Sequence, residues 1–310
     1  MMLLAGDLFD GPATDDACRI LYKALAQADV PVFIAPGNHD FAGPDSPWLT
    51  RSWPDNVHIF TRPVLESVMI PRLNCEVYGA GFSSMDCPGL LEGFRAQSNC
   101  RYAIGVLHGD PSQSRSPYCP VTRSQVMDSA LDYLALGHIH KGGSFQAGST
   151  LCAWPGCPMG RGFDETGEKG VLIVTLEDTV QARFLPLDFP NFFDLIIPSP
   201  QEPVQALRDL LPPVGSEDFY RITFTGTPDV PLDPEALMQS FSQFPNLTIL
   251  DETLPPVDIW SALGEDSFEG LYFSALQKAM EETDEDTRRR ILLAARISRQ
   301  ILDGREVVLP

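Results

Sequence analysis

The stretch Val30–Asp40 reads VPVFIAPGNHD, a short apolar run that ends in glycine and polar side chains. A continuous apolar run of about five residues is typical of a strand that is buried on both faces. Similar runs precede Asp7, His108 and His138. Between the run before Asp7 and the run that begins at Val30 lies Thr14–Ala28. This segment has the polar start and spaced apolar residues of a capped amphipathic helix. This order predicts a right-handed β-α-β unit with parallel strands.

The polar residues after these runs predict a metal centre. Open α/β sheets place their sites at the carboxyl ends of the strands, so Asp7, Asn38 and His108 are expected to meet there. His138 and His140 alternate along an extended stretch, so both can point at the same site. Aspartate, asparagine and histidine suit Mn²⁺, Fe²⁺ or Zn²⁺, and a shared carboxylate can hold two cations about 3.5–4 Å apart.

Together with the remaining apolar runs, these segments predict the α/β fold class. The expected form is an α+β sandwich, in which two sheets pack on each other and helices flank them. Residues 1–188 would form this core, 191–255 a small α+β cap domain, and 256–310 a helical tail. The core would add a helix at Thr122–Leu131 and strands within Val57–Phe60, Val64–Ile70, Leu73–Tyr78, Gly148–Ala153, Gly170–Leu176 and Val180–Leu185. The cap would alternate strands and helices, and the tail helices would span about Ser267–Glu281 and Thr283–Leu302.

Composition narrows the class of protein. The net charge is −20, with 42 acidic against 22 basic residues, so the chain shows no basic face of the kind that grips nucleic acid. No apolar run reaches the roughly 18 residues of a membrane span, and the N-terminus has no basic region of a signal peptide. The seven cysteines are scattered without a Cys-x-x-Cys pair, which indicates reduced thiols and a cytoplasmic location.

Four motifs in a fixed order carry a family resemblance. Gly6–Asp10 (GDLFD), Gly37–Asp40 (GNHD), His108-Gly109 and Gly137–His140 (GHIH) resemble the second to fifth motifs of the calcineurin-like metallophosphoesterases. The phrases Ala135–Lys141 (ALGHIHK) and Gly160–Gly170 are similar to the SbcD/YhaO-like subgroup of DNA-repair exonucleases. The resemblance covers about residues 1–190, and it extends to the remainder only by architecture.

The resemblance implies a role for each matching residue. Asp7 would bridge two divalent cations, with Mn²⁺ expected and Fe²⁺ or Zn²⁺ as alternatives. Asn38, His108 and His138 would complete the second metal position, and His140 would bind the first. His39 would bind no metal and would instead stabilise the transition state or protonate the leaving oxygen. A water shared by the metals would attack phosphorus in line.

The family's first motif, a strand ending in Asp-x-His, has no counterpart before Gly6-Asp7. The first metal position would then keep only Asp7 and His140 and be weakened. Three explanations stay open: a start assigned too far downstream, which we favour, a truncated gene, or a segment supplied by another chain.

The resemblance implies a metal-dependent phosphodiesterase, a DNA exonuclease subunit of a nuclease–ATPase complex. Its substrate would be DNA ends, and an SMC-like ATPase would dock on the helical tail. A second copy of the chain could complete a homodimer, and no membrane is expected among its partners. The alternatives are a phosphodiesterase or phosphatase for small phosphoesters, and a catalytically impaired scaffold subunit.

Single residues also allow simpler interpretations. Asp10 and Asp40 fit supporting or turn roles, and His108 alone could be a core histidine with a satisfied hydrogen bond. Phe192 and Phe193 fit packing within the cap better than a base-stacking platform. The apolar stripes of the tail helices could pack on each other and on the cap as well as on a partner.

Overall fold

The computed structural model describes residues 1–198, 202–226, 228, 232–253, 258–281, 283–304 and 307. The chain folds as two compact units. The first comprises Met1–Gly160 and Glu168–Phe189, and the second comprises Arg161–Gly167 and Pro190–Pro310.

The first sheet of the first unit is a parallel sheet of three short strands. Its elements are β1 (Met2–Leu4), α1 (Asp15–Gln27), β2 (Val32–Ile34), the single turn α2 (Pro47–Thr50) and β3 (Val57–Ile59), with the strand order β1-β2-β3. Thr14 caps α1, because its side-chain oxygen accepts a hydrogen bond from the Ala17 N–H. The predicted β-α-β unit is therefore confirmed.

The second sheet has six strands in the order β4-β5-β6-β7-β9-β8. Its inner strands are parallel, and the outer strands β4 and β8 pair antiparallel with their neighbours. A capping box at Thr122 and Gln125 starts the helix α3 as predicted. The elements are β4 (Glu66–Ile70), a 3₁₀ turn (Pro71–Leu73), β5 (Cys75–Ala80), β6 (Tyr102–His108), α3 (Arg123–Asp128), β7 (Tyr133–Gly137), β8 (Lys141–Ala147) and β9 (Thr150–Gly156).

The two sheets pack face to face, which confirms the predicted sandwich. Phe33 and Ala35 of the first sheet lie in one buried cluster with Val77, Val106 and Tyr133 of the second. Alternate residues face outward, because Val32 and Ile34 pack with α1 whereas Leu107 and Leu134 pack with α3. The layers are thus helix, sheet, sheet and helix. A separate hairpin of β10 (Gly170–Leu176) and β11 (Val180–Pro186) adds Leu172 and Val174 to the edge of the inner cluster.

The second unit contains a parallel sheet, β12-β13-β14, and a helical tail. Its elements are β12 (Phe192–Pro198), α4 (Pro203–Leu210), β13 (Phe219–Gly226), α5 (Pro234–Ser240), β14 (Leu247–Thr253), α6 (Phe268–Glu281) and α7 (Glu285–Leu302). Ile222 and Phe224 pack with Leu207 and Leu237 of the helices. Phe193 belongs to this core and Phe192 stacks on Phe219, as expected from packing within the cap. In the described part of the chain, no helix combines the length and apolarity needed to cross a bilayer.

The sandwich core predicts a clear difference between two leucine truncations. Leu134 is 0% exposed between the second sheet and α3, whereas Leu49 of α2 is 52% exposed. We expect Leu134→Ala to lower the free energy of unfolding by about 2–5 kcal/mol, because it leaves a cavity in a packed core. Leu49→Ala should change it by less than about 1 kcal/mol. Urea unfolding followed by tryptophan fluorescence measures both, and equal losses would contradict this description of the core.

Candidate metal centre at the carboxyl ends of the strands

Five of the predicted site residues follow strands that end at the same edge of the sandwich. Asp7 follows β1, Asn38 and His39 follow β2, His108 ends β6, and His138 follows β7. The first three come from one sheet and the last two from the other, so the site lies where both sheets end.

Four of these side chains converge. The Nε2 atom of His108 lies 2.9 Å from Asn38 Oδ1, 3.2 Å from His138 Nδ1 and 3.4 Å from Asp7 Oδ2. The Nδ1 atom of His138 lies 3.2 Å from the same Asn38 oxygen. Asp7, His108 and His138 each offer one ligand atom within 4.8 Å of the others. The structure therefore brings together the four residues expected at the second metal position.

The protonation of His108 decides what this cluster can bind. Its Nδ1–H donates to the Ala5 carbonyl at 2.8 Å, so Nε2 carries a lone pair directed at the cluster. Burial lowers the pKa of His108 to about 4, although the charge of Asp7 opposes the shift. Burial also lowers the pKa of His138. Both imidazoles are consequently neutral at neutral pH, which is the form that binds metals.

The cluster fits a divalent cation. The His108 nitrogen faces the oxygens of Asn38 and Asp7, so lone pairs point toward lone pairs, an arrangement that a positive ion stabilises. Two ligands that bind a metal at about 2.1 Å and at right angles are about 3 Å apart. The distances of 2.9–3.4 Å around His108 Nε2 match that spacing.

The backbone is strained at two of the ligands and closely packed at two glycines. Asp7 has φ of 54° and His138 has φ of 95°, a left-handed conformation that is costly for residues other than glycine. A Cβ atom at Gly37 would lie 2.3 Å from Asp7 Oδ1, and one at Gly137 would lie 1.9 Å from the Ala5 carbonyl oxygen. The motif glycines are needed because ligand side chains and backbone occupy that space.

Asp40 joins the two loops of the first sheet. Its Oδ1 accepts hydrogen bonds from the N–H groups of Gly37 at 2.7 Å and Asp7 at 3.1 Å, and its Oδ2 accepts one from Leu8 at 2.8 Å. Burial raises the pKa of Asp40 to about 6, against the opposing effect of these hydrogen bonds. Trp48 Nε1–H in turn donates to the Asp40 carbonyl at 2.5 Å. Asp40 thus holds the loop after β1 and the loop after β2 together, which is the supporting role expected from the sequence.

His39 lies beside the cluster with its ring outside it. Its backbone N–H donates to Asp7 Oδ1 at 2.9 Å, and its Nδ1 lies 3.0 Å from Asp10 Oδ1. The His39 side chain is 48% exposed. Asp10 therefore orients the half-exposed imidazole through its Nδ1 atom.

His140 does not join the cluster of Asp7, His108 and His138. It is exposed and lies immediately before β8, where a ring nitrogen comes within 4.8 Å of the sulfur of Cys157. The positive φ of His138 turns the chain, so the two histidines do not alternate along one extended strand. Cys157 was not among the predicted site residues, because its place opposite His140 depends on β8, a strand that was not predicted from the sequence. His58 is exposed and packs edge-on against Phe60.

Comparisons with known proteins agree with this geometry. Residues 1–142 match the profile of the family described as calcineurin-like phosphoesterase. The chain is also 34% identical over 186 residues to a protein of Bacillus subtilis (strain 168) named "uncharacterized metallophosphoesterase YhaO". That alignment covers 56% of this chain and 44% of the relative, so the match spans less than half the length of the curated relative. Residues 1–142, the part of the chain that is similar to this family, contain every residue of the predicted centre.

Proposed function

We propose that this chain is a metal-dependent phosphodiesterase that cleaves DNA ends as the nuclease subunit of a nuclease–ATPase complex. The observation that carries the hydrolase part is the convergence of Asp7, Asn38, His108 and His138 on one point, with both imidazoles held neutral. The family match of residues 1–142 supports the same reaction class.

Each residue has a distinct task in this proposal. Asn38, His108 and His138 would hold the cation at the second metal position, and His140 would contribute to the first. Asp7 would be shared by both. Bound cations would supply charge to neutralise the phosphoryl oxygens and to activate water. His39 lies outside the ligand group, so its Nε2 can hold a proton near the leaving oxygen while Asp10 fixes the ring.

Two features support the proposal of a DNA substrate and an ATPase partner. They are the sequence motifs that resemble the SbcD/YhaO-like subgroup and the exposed side chains of the helical tail. Phe268 and Leu271 of α6 are 75% and 68% exposed, and Ile301 of α7 is 60% exposed. Apolar side chains exposed at helical spacing favour docking on a partner helix. Such a partner would also supply the basic surface that this acidic chain lacks.

One observation favours a second candidate, a phosphodiesterase for small phosphoesters. The net charge of −20 disfavours unaided binding of a polyanion but affects a small diester far less. The two candidates share the metal centre and differ only in what reaches it.

The metal cluster can be tested without any substrate. We expect His108→Ala to lose one equivalent of bound divalent metal, because it removes the ligand on which the other three residues converge. His58→Ala is the matched control, since that histidine is exposed and outside the cluster, and it should keep the full metal content. Metal analysis after gel filtration with Mn²⁺ or Zn²⁺ measures both, and unchanged metal content in His108→Ala would refute the cluster.

The role of His39 predicts a dependence on the leaving group. His39→Ala should retain its metal and lower turnover of a dinucleotide, which has an alkoxide leaving group, by about 10²- to 10⁴-fold. The loss should be smaller with bis-p-nitrophenyl phosphate, whose leaving group needs little protonation. Asp10→Asn should show the same pattern with a smaller loss. Equal losses on both substrates, or loss of metal from His39→Ala, would contradict this role.

The substrate is tested by direct comparison. Linear DNA, closed circular DNA, bis-p-nitrophenyl phosphate and a phosphomonoester are incubated with the metal-loaded chain, alone and with an SMC-like ATPase encoded nearby. We expect turnover of the small diester by the chain alone and of linear DNA once the partner is present. Turnover of the small diester with no cleavage of DNA under either condition would support the second candidate. No turnover of any substrate by a metal-loaded chain would overturn the enzyme proposal.

A further inference from the structure

A histidine and a cysteine face each other where strands β8 and β9 meet. Lys141 at the start of β8 is paired with Gly156 at the end of β9 in an antiparallel ladder. The next residues outward are His140 and Cys157, and the Cys157 N–H donates to the His140 carbonyl at 3.1 Å. Residues directly opposite in such a ladder place their side chains on the same face. A His140 ring nitrogen and Cys157 Sγ accordingly lie within 4.8 Å of each other.

The backbone around this pair is tightly fixed. Gly156 has φ of 86°, and a Cβ atom there would lie 2.4 Å from the His140 carbonyl oxygen. Trp154 Nε1–H donates to the Lys141 carbonyl at 2.9 Å and ties the same two strands together. The approach of the imidazole to the thiol is therefore set by the strand pairing rather than by a mobile loop.

The chemistry of the pair is that of a metal ligand set. Imidazole nitrogen and thiolate sulfur are the ligands that Zn²⁺, Co²⁺ and Fe²⁺ prefer, whereas Mn²⁺ prefers oxygen. Cys157 is only half-buried, unlike the five cysteines that are buried within the folded units.

We propose that His140 and Cys157 bind the same divalent cation, and that the thiolate makes this position select Zn²⁺ over Mn²⁺. Binding forms a metal–sulfur bond and releases the Cys157 thiol proton to solvent. The inference rests on the proposed function, because this position is the first metal position of that site. In sequence, His140 is two residues beyond His138, a ligand of the neighbouring cluster.

Cys157 changes what this position offers. The motifs provide only Asp7 and His140 for the first metal, which is few for a tightly bound ion. The Cys157 thiolate would add a sulfur ligand beside the His140 imidazole, and nitrogen and sulfur are ligand atoms that Zn²⁺ binds.

Cobalt spectroscopy of the full chain tests the proposal. Metal-depleted protein is titrated with Co²⁺, and we expect an intense near-ultraviolet band from sulfur-to-cobalt charge transfer. Cys157→Ser should lose the band, and so should His140→Gln by weakening the site. Cys100→Ser is the matched control, because Cys100 is also half-buried, and it should keep the band. His108→Ala should keep the band too, because His108 belongs to the neighbouring cluster and not to the group of His140 and Cys157.

Metal affinity gives a second readout. Cys157→Ser should weaken binding of one Zn²⁺ by about 10- to 100-fold and leave binding of Mn²⁺ nearly unchanged. Circular dichroism checks that each variant is folded. Absence of the band from the Co²⁺ complex of the unsubstituted chain would overturn the proposal. So would a band that persists in folded Cys157→Ser.

Turnover of bis-p-nitrophenyl phosphate, measured in parallel, separates the two proposals. Turnover without the band would overturn the role of Cys157 and leave the phosphodiesterase proposal standing. A Cys157-dependent band in a loaded chain without turnover would support the metal position and count against the enzyme.

Discussion

The hydrogen bond from His108 to the Ala5 carbonyl links the two sheets at the point where the metal ligands meet. His108 ends a strand of the second sheet, and Ala5 follows β1 of the first. The bond fixes the imidazole tautomer, so Nε2 must present a lone pair to Asn38 and Asp7. Gly137 approaches the same carbonyl so closely that a Cβ atom would overlap it. One backbone oxygen thus contacts residues of the second sheet at two points and sets the tautomer of His108.

The strain at the site follows from the same arrangement. Asp7 and His138 adopt positive φ, which costs of order 1–3 kcal/mol each unless the surroundings enforce it. Three hydrogen bonds to the Asp40 carboxylate hold the loops that carry Asp7 and Asn38. Burial raises the pKa of Asp40 to about 6, because removing the carboxylate from water disfavours its charged form. The hydrogen bonds to Asp40 offset part of this desolvation cost. These hydrogen bonds hold the loops in place, and a bound ion would offset the repulsion between the lone pairs of the ligands.

The sequence allowed the sandwich, the β-α-β unit and the meeting of Asp7, Asn38, His108 and His138 to be predicted, because buried parallel strands are continuous apolar runs. It could not predict β8, since KGGSFQA is a polar, glycine-containing edge strand that forms only by pairing with β9. The alternation of His138 and His140 assumed extended backbone, and the left-handed φ of His138 breaks that assumption. The position of Cys157 opposite His140 follows from the pairing of β8 with β9, which no local sequence pattern encodes.

The acidity of the chain bears on how substrate arrives more than on the reaction itself. At physiological ionic strength charges are screened over about 8 Å, so most of the 42 carboxylates do not act on a phosphate held at the centre. They do lower the rate at which a polyanion approaches, since steering depends on the summed field of the protein. A small diester is little affected by that field, whereas DNA must gain its phosphate contacts elsewhere. Under the proposal that this centre cleaves DNA, we therefore expect a basic partner that docks on the exposed apolar side chains of α6 and α7.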